Sequence, residues 1–195
     1  MNKNSRQLQK DQTRISLLAT SKKLFLEHGY EGTTTRMIAE SAGVSIGSVF
    51  VHFPDKRQLL REILLDDITN ILHTTSISMP ERAGVVAALL HYAEAMYAYY
   101  GNQRSLSMEL LKDTMFDNPA FFRPLQQAFI GELAGRTEYD NMKLNEEESA
   151  VMAQCLFSLY LVTLIEGLSS LDTGPGDWLS TLKRRCQIMM STQFN

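Results

Sequence analysis

TTTRMIAESAGVSIGSVFVHFPDK, residues 33–56, sets two short helix patterns on either side of a glycine. Thr33, Thr34 and Thr35 each offer a side-chain oxygen to the free N–H groups of a helix's first turn. Ile38, Ala39 and Ala42 follow at the spacing of one inward helix face. Gly43 then breaks the pattern where the backbone must turn with positive φ, and Val44 plugs the resulting angle. Ser45 is a cap for the next segment, Ile46 to His52, in which Val49 and Phe53 stand four apart toward a core. Pro54 and Asp55 supply a turn and a cap for a longer helix from Lys56, with Leu59, Leu60, Ile63, Leu64 and Ile68 inward.

Working outward, Leu17, Leu18, Leu24 and Phe25, with small Ser21 between them, mark one face of a helix from Gln12 to His28 that Gly29 stops. Three short helices with a tight turn between the second and third describe a helix-turn-helix, whose last helix can enter a DNA major groove. Gly47 and Ser48, small and at the exposed start of that helix, allow close approach to base edges. The competing reading is a helical hairpin inside a larger bundle. Downstream the periodicity stays helical over Glu81 to Tyr100, Gln103 to Lys112, from after Asn118 and Pro119 to about Tyr139, Asn145 to Ser170, and Asp177 to about Thr192. No strand pattern or internal repeat is evident, so an all-α chain of about nine helices is expected.

The 195 residues, 44% hydrophobic with 5 prolines, suffice for a substantial core. The net charge of −3 divides unevenly: residues 1–61 hold ten Lys and Arg against five Asp and Glu, a net +5, leaving −8 for the remainder. A basic head on an acidic body suits a polyanion contact at one end, though a solvated lysine-rich surface has the same composition. The polar start and the interruption of the apolar run Ala150 to Ile165 by Gln154, Ser158 and Thr163 favour a soluble cytoplasmic protein with no membrane partner. Cys155 and Cys186 lack CxxC spacing and are expected to be buried thiols, without metal or cofactor. His28, His52, His73 and His91 show no metal-ligand spacing, and Glu146 to Glu148 suit a helix start, so no catalytic residue is nominated and an enzyme is disfavoured.

Gly29 to Ala39 and Ala42 to Lys56 resemble, almost position for position, the DNA-binding domain of the TetR family, a likeness extending from about Arg14 to Ile63. The rest is similar in layout only. The resemblance implies a helix-turn-helix head with an N-terminal arm (residues 1–61) and a helical regulatory and dimerisation domain (residues 62–195). Its implied function is that of a repressor, binding double-stranded DNA as a homodimer on a pseudo-palindromic operator and released by a small-molecule effector. Carried over by position, Thr35 contacts a phosphate, Arg36 reaches toward the groove, Ser45, Gly47, Ser48 and His52 lie at the DNA surface, and Lys56 holds a backbone phosphate. Phe50 departs from the usual tyrosine and so lacks the hydroxyl that would bond a phosphate. Ile46 stands where relatives are often polar, which favours contact with a thymine methyl or a sugar. Plainer alternatives stand beside these: His52 as a partly buried structural residue and Arg36 as a surface partner of Glu40; Lys3, Arg6 and Lys10 form a flexible basic extension that either tracks the minor groove or is merely solvated.

Two further sets follow from composition. Ala150 to Ile165 is apolar nearly all round, so Tyr160 and Leu164, with Trp178, Leu182 and Ile188 of the last helix, are candidates for a dimer interface; the alternative is a wholly internal core helix. The aromatic and methionine-rich middle suits an adaptable apolar pocket, with Met96, Tyr97, Tyr100, Met108, Phe122, Phe129, Met152 and Leu156 as its candidates; such stripes also form plain core. A C-terminal domain that docks a protein and senses no small molecule is the alternative function.

Overall fold

The computed structural model describes residues 3–118, 120–140 and 142–191. Among them it contains nine α-helices and no strand. The chain divides into two compact units, Met1–Asp67 and Ile68–Asn195.

The first unit is built from α1 (Lys3–Gly32), α2 (Thr35–Ser41), α3 (Ile46–His52) and the first turns of α4 (Lys56–Ile77). The apolar face read from the sequence is its core: Leu17, Phe25, Ile38, Val49, Phe53, Leu59 and Leu64 are buried, with Ser21 among them. Gly29 breaks α1 at φ 74° and ψ 165°, and Gly43 turns the chain between α2 and α3 at φ 67°. Both angles belong to the left-handed side that glycine enters without Cβ strain. The Thr33 hydroxyl, 3.0 Å from the Leu24 carbonyl and 2.8 Å from that of Gly29, donates back onto the broken end of α1. Arg14 pairs with Glu62, and Lys22 with Asp67 at 2.6 Å, tying α1 to the start of α4. The expected flexible arm is instead helix: with no Gly or Pro before Gly29, α1 extends back to Lys3 and leaves Arg6 and Lys10 exposed. The Lys3 side chain lies outside the described residues, as do the expected helix markers Pro119 and Thr192.

The second unit holds α5 (Val85–Asn102), α6 (Arg104–Lys112), a π-helical turn (Asp113–Asp117), α7 (Arg123–Gly135), a 3-10 turn (Arg136–Asp140), α8 (Glu146–Ser169) and α9 (Pro175–Ser191). Helix α5 packs against α8 and α9, and α7 lies on α8. At the centre Tyr97 stacks on Tyr160, centroids 5.2 Å apart, and meets Trp178 edge-on at 5.9 Å. Asn145 and Glu148 form a reciprocal capping box that starts α8 where the sequence places it. Helix α5 begins at Val85 and not at Glu81, because the Asp140 carboxylate, 55 positions on, accepts from the Val85 N–H at 2.6 Å. Helix α7 stops at Gly135, short of Tyr139, and the chain tightens into the 3-10 turn.

Burial corrects the expected dimer set. Tyr160, Leu164, Trp178 and Leu182 are all buried inside their own unit, so only Ile188 of the five is exposed. Both faces of α8 are apolar, and the sequence cannot say which one the neighbouring helices cover. The exposed face of α8 carries Val151, Cys155, Ser158 and Val162 in a stripe at helical spacing. Cys155 is thus exposed, contrary to expectation, while Cys186 is buried. Among the described residues α8 alone is long and apolar enough to cross a bilayer, yet Met152, Ala153, Leu156 and Leu164 on it are core residues.

Candidate nucleic-acid interface and effector cavity

In the first unit, caps set the geometry of the turn. The Thr34 Oγ1 accepts from the Met37 N–H at 3.2 Å, and the Ser45 Oγ accepts from the Ser48 N–H at 3.1 Å. Ser45 is therefore engaged in starting α3, and Thr34, the residue before the expected phosphate ligand Thr35, is engaged in starting α2. Thr35 opens α2 and is half-buried, as is Ser48 on α3. Val49 anchors α3 to the core, so the opposite face of this seven-residue helix turns outward: Ile46, Gly47, Phe50 and Val51 are all exposed. Val51 was not nominated from the sequence, although it stands one helical turn past Gly47 and shares its face.

Arg36 lies exposed on α2 and pairs with Glu40 at 2.9 Å, the plainer of its two readings. His52, half-buried at the end of α3, has a buried Nδ1 without a hydrogen-bond partner among the described residues. Its imidazole is held below the ordinary range, first by partial burial and then by the positive charges of Lys10 and Arg14, against a smaller opposing pull from Asp11. Of the two cations, Arg14 is paired with Glu62, while Lys10 is exposed on α1. Lys56 is turned inward: its Nζ donates to the Tyr30 carbonyl at 2.7 Å and the Thr33 carbonyl at 3.0 Å, and lies 4.0 Å from the centroid of the Tyr30 ring. Its partners lie on the last turn of α1, past the break at Gly29, and at Thr33 just beyond it, so in this structure it clasps that segment and does not stand free for a phosphate. That the Tyr30 carbonyl receives this ammonium is invisible in sequence because the approach follows from the break at Gly29.

The second unit holds a half-open cavity of about 200 Å³. Met96 and Tyr100 of α5, Ser107 and Leu110 of α6, Thr114 and Met115 of the π-helical turn, Gln126 and Phe129 of α7, and Phe157, Tyr160 and Leu164 of α8 contribute to its wall, with Phe122 just ahead of α7. Among these described residues none is charged. The Tyr100 and Tyr160 hydroxyls share a hydrogen bond, and burial raises both well above the ordinary phenol range, so both remain neutral. Of the expected pocket residues Met96, Tyr100, Phe122 and Phe129 line this space. The others do not. Tyr97 is committed to the core between Tyr160 and Trp178, its hydroxyl donating to the Tyr160 carbonyl at 2.9 Å. Met152 and Leu156 are buried on α8 ahead of Phe157, where the wall begins, and Met108 is half-buried on α6 away from the lining side that Ser107 and Leu110 form. Among the described residues no cluster of three or more His, Cys, Asp or Glu is arranged to hold a metal ion.

Comparison with known proteins follows the same division. Residues 17–63 match the model of the bacterial regulatory proteins of the tetR family. The chain is 38% identical over 64 residues to the HTH-type transcriptional repressor AcnR of Corynebacterium efficiens, a match covering 33% of this chain and 34% of that protein. The alignment thus spans about a third of the length of that curated relative. Over its length the fold resembles Thermus thermophilus FadR, a TetR-family repressor solved with lauroyl-CoA, at TM-score 0.70 and 18% identity, covering 93% of this chain and 95% of that one. It also resembles RolR solved with resorcinol, at TM-score 0.69 and 16% identity, covering 91% and 89%. At these identities the likeness is one of fold.

Proposed function

This chain belongs to the TetR family of bacterial regulatory proteins, and from that premise we propose that it is a sequence-specific DNA-binding repressor, dimeric on a pseudo-palindromic operator and released by a small, largely apolar and uncharged ligand. The observation that carries the reading is the capped α3: Gly43 and Ser45 start it sharply, Val49 ties it down, and Ile46, Gly47, Phe50 and Val51 stand outward in the manner of a recognition helix. One such helix touches few base pairs, and a two-fold pair of heads doubles the readout. The exposed stripe Val151, Cys155, Ser158 and Val162 on α8 supports α8 as the pairing surface.

The cavity supports the effector part of the proposal. A ligand there is met by apolar walls, by the shared hydroxyls of Tyr100 and Tyr160, and by Ser107, Thr114 and Gln126 at polar positions. A buried anion or cation would find no counter-charge on the wall and would bear most of its desolvation cost alone. Release of DNA follows when the ligand binds one conformation of the protein better than the DNA-competent one, by no more than its differential affinity for the two.

The test is fluorescence anisotropy of the purified protein with duplex DNA from around its own gene, beside a scrambled duplex of equal length, at two salt concentrations. Tight, salt-sensitive binding to the native duplex at two chains per site is expected. Equal weak binding to both duplexes would leave only the electrostatics of the basic head and remove the case for a self-regulating repressor.

A further inference from the structure

The outward face of α3 is built for apolar contact. Ile46 is 42% exposed, Phe50 51% and Val51 71%, and with Gly47 they form one surface at i, i+1, i+4 and i+5. The helix, IGSVFVH, contains no Arg, Lys, Asn, Gln, Asp or Glu, the side chains that form bidentate or charge-assisted pairs with guanine, adenine or cytosine edges. Its other polar side chains are few: the Ser45 Oγ accepts from the Ser48 N–H, and Ser48 and His52 are half-buried. The arginine of α2, Arg36, is paired with Glu40 at 2.9 Å. In a major groove that otherwise displays donors and acceptors, the one apolar group is the C5 methyl of thymine.

We propose that base recognition by this chain is carried by thymine methyl groups, read by Ile46, Phe50 and Val51, so that its half-site is specified by T·A pairs and not by guanine contacts. The proposal rests on the DNA-binding function argued above and adds the class of sequence that it reads. Burying a methyl group against these side chains removes apolar surface of both partners from water, whereas a neutral helix face gains nothing comparable from a guanine edge. The exposed basic groups of α1, Arg6 and Lys10, supply the affinity that is independent of sequence.

The experiment uses the full chain and a library of randomised duplexes. Sequences enriched by the protein are sequenced, and the best duplex is remade with deoxyuridine in place of every thymine, which keeps the Watson–Crick pairing and removes only the methyl groups. The expected result is a T·A-rich half-site and a loss of affinity of about fourfold for each contacted methyl on this substitution, with binding to a scrambled duplex unchanged. Ile46→Ala and Val51→Ala, both at exposed positions that leave the core intact, are expected to lower the thymine-to-uridine affinity ratio, as coupled contacts must. A half-site dominated by guanine, equal binding of the two duplexes, or a full penalty retained in both alanine variants would overturn the inference while leaving the repressor reading in place. Failure to enrich any sequence would overturn both.

Discussion

Lys56 shows how a residue's neighbours change its meaning. By position it stands for a phosphate ligand, yet its ammonium is held by two carbonyls and the face of the Tyr30 ring. Charge-assisted bonds to carbonyls are worth more than neutral ones, and removing the donor takes a buried charge-assisted bond from each of the two carbonyls. Lys56→Met is expected to lower the unfolding free energy by about 1–3 kcal/mol in a urea titration, with Lys56→Arg recovering only part, since a planar guanidinium fits two converging carbonyls less well than a point-like ammonium. Unchanged stability with weaker DNA binding and a salt slope reduced by about one would show that the ammonium serves a phosphate instead. At this scale identity was legible and partnership was not: that Lys56 is cationic is plain from the sequence, but its partner Tyr30 lies 26 positions earlier.

Among the elements, the short helices of the first unit were legible because their signals are local: a capping hydroxyl, a positive-φ glycine, and apolar residues three and four apart. The second unit departs from the reading wherever a distant group intervenes. The start of α5 answers to Asp140, and the π-helical turn at Asp113–Asp117 has no sequence mark that separates it from a continuation of α6. Helix α8 carries a further such dependence. A Cβ on Gly167 would lie 2.5 Å from the ring of Trp178, closer than carbon atoms approach. Gly167→Ala therefore forces the indole or the helix to shift and is expected to cost about 1–3 kcal/mol despite the better helix propensity of alanine. Trp178 is the single tryptophan of the chain, so its emission during denaturation measures this unit directly. Unaltered emission and an unaltered midpoint would show that the ring has room to move.

For the molecule as a whole, the proposed dimer is what the proposed function most requires, and the surface proposed for it is the exposed face of α8. Val162 is 47% exposed in the middle of that stripe. Placing a charge there leaves the core untouched but buries an unpaired cation at a two-fold contact. Val162→Arg is expected to halve the mass measured by light scattering on a size-exclusion column and to weaken operator binding strongly, with the helical circular dichroism unchanged. A mass that stays that of a dimer would remove α8 as the pairing surface.

Taken alone, the sequence determined the all-α class, the capped helix-turn-helix with its turn at Gly43, and a charge division that concentrates basic residues at one end. These are properties of neighbours in the chain, governed by backbone sterics, capping and periodicity over a few residues. The tertiary structure decided which apolar side chains are core, which stand exposed, and which line the cavity. Tyr160 and Leu164 proved to be cavity wall, Tyr97 core, and Val51 surface. An apolar side chain carries the same hydrophobic drive to any of these places, and only packing between helices remote in sequence selects among them.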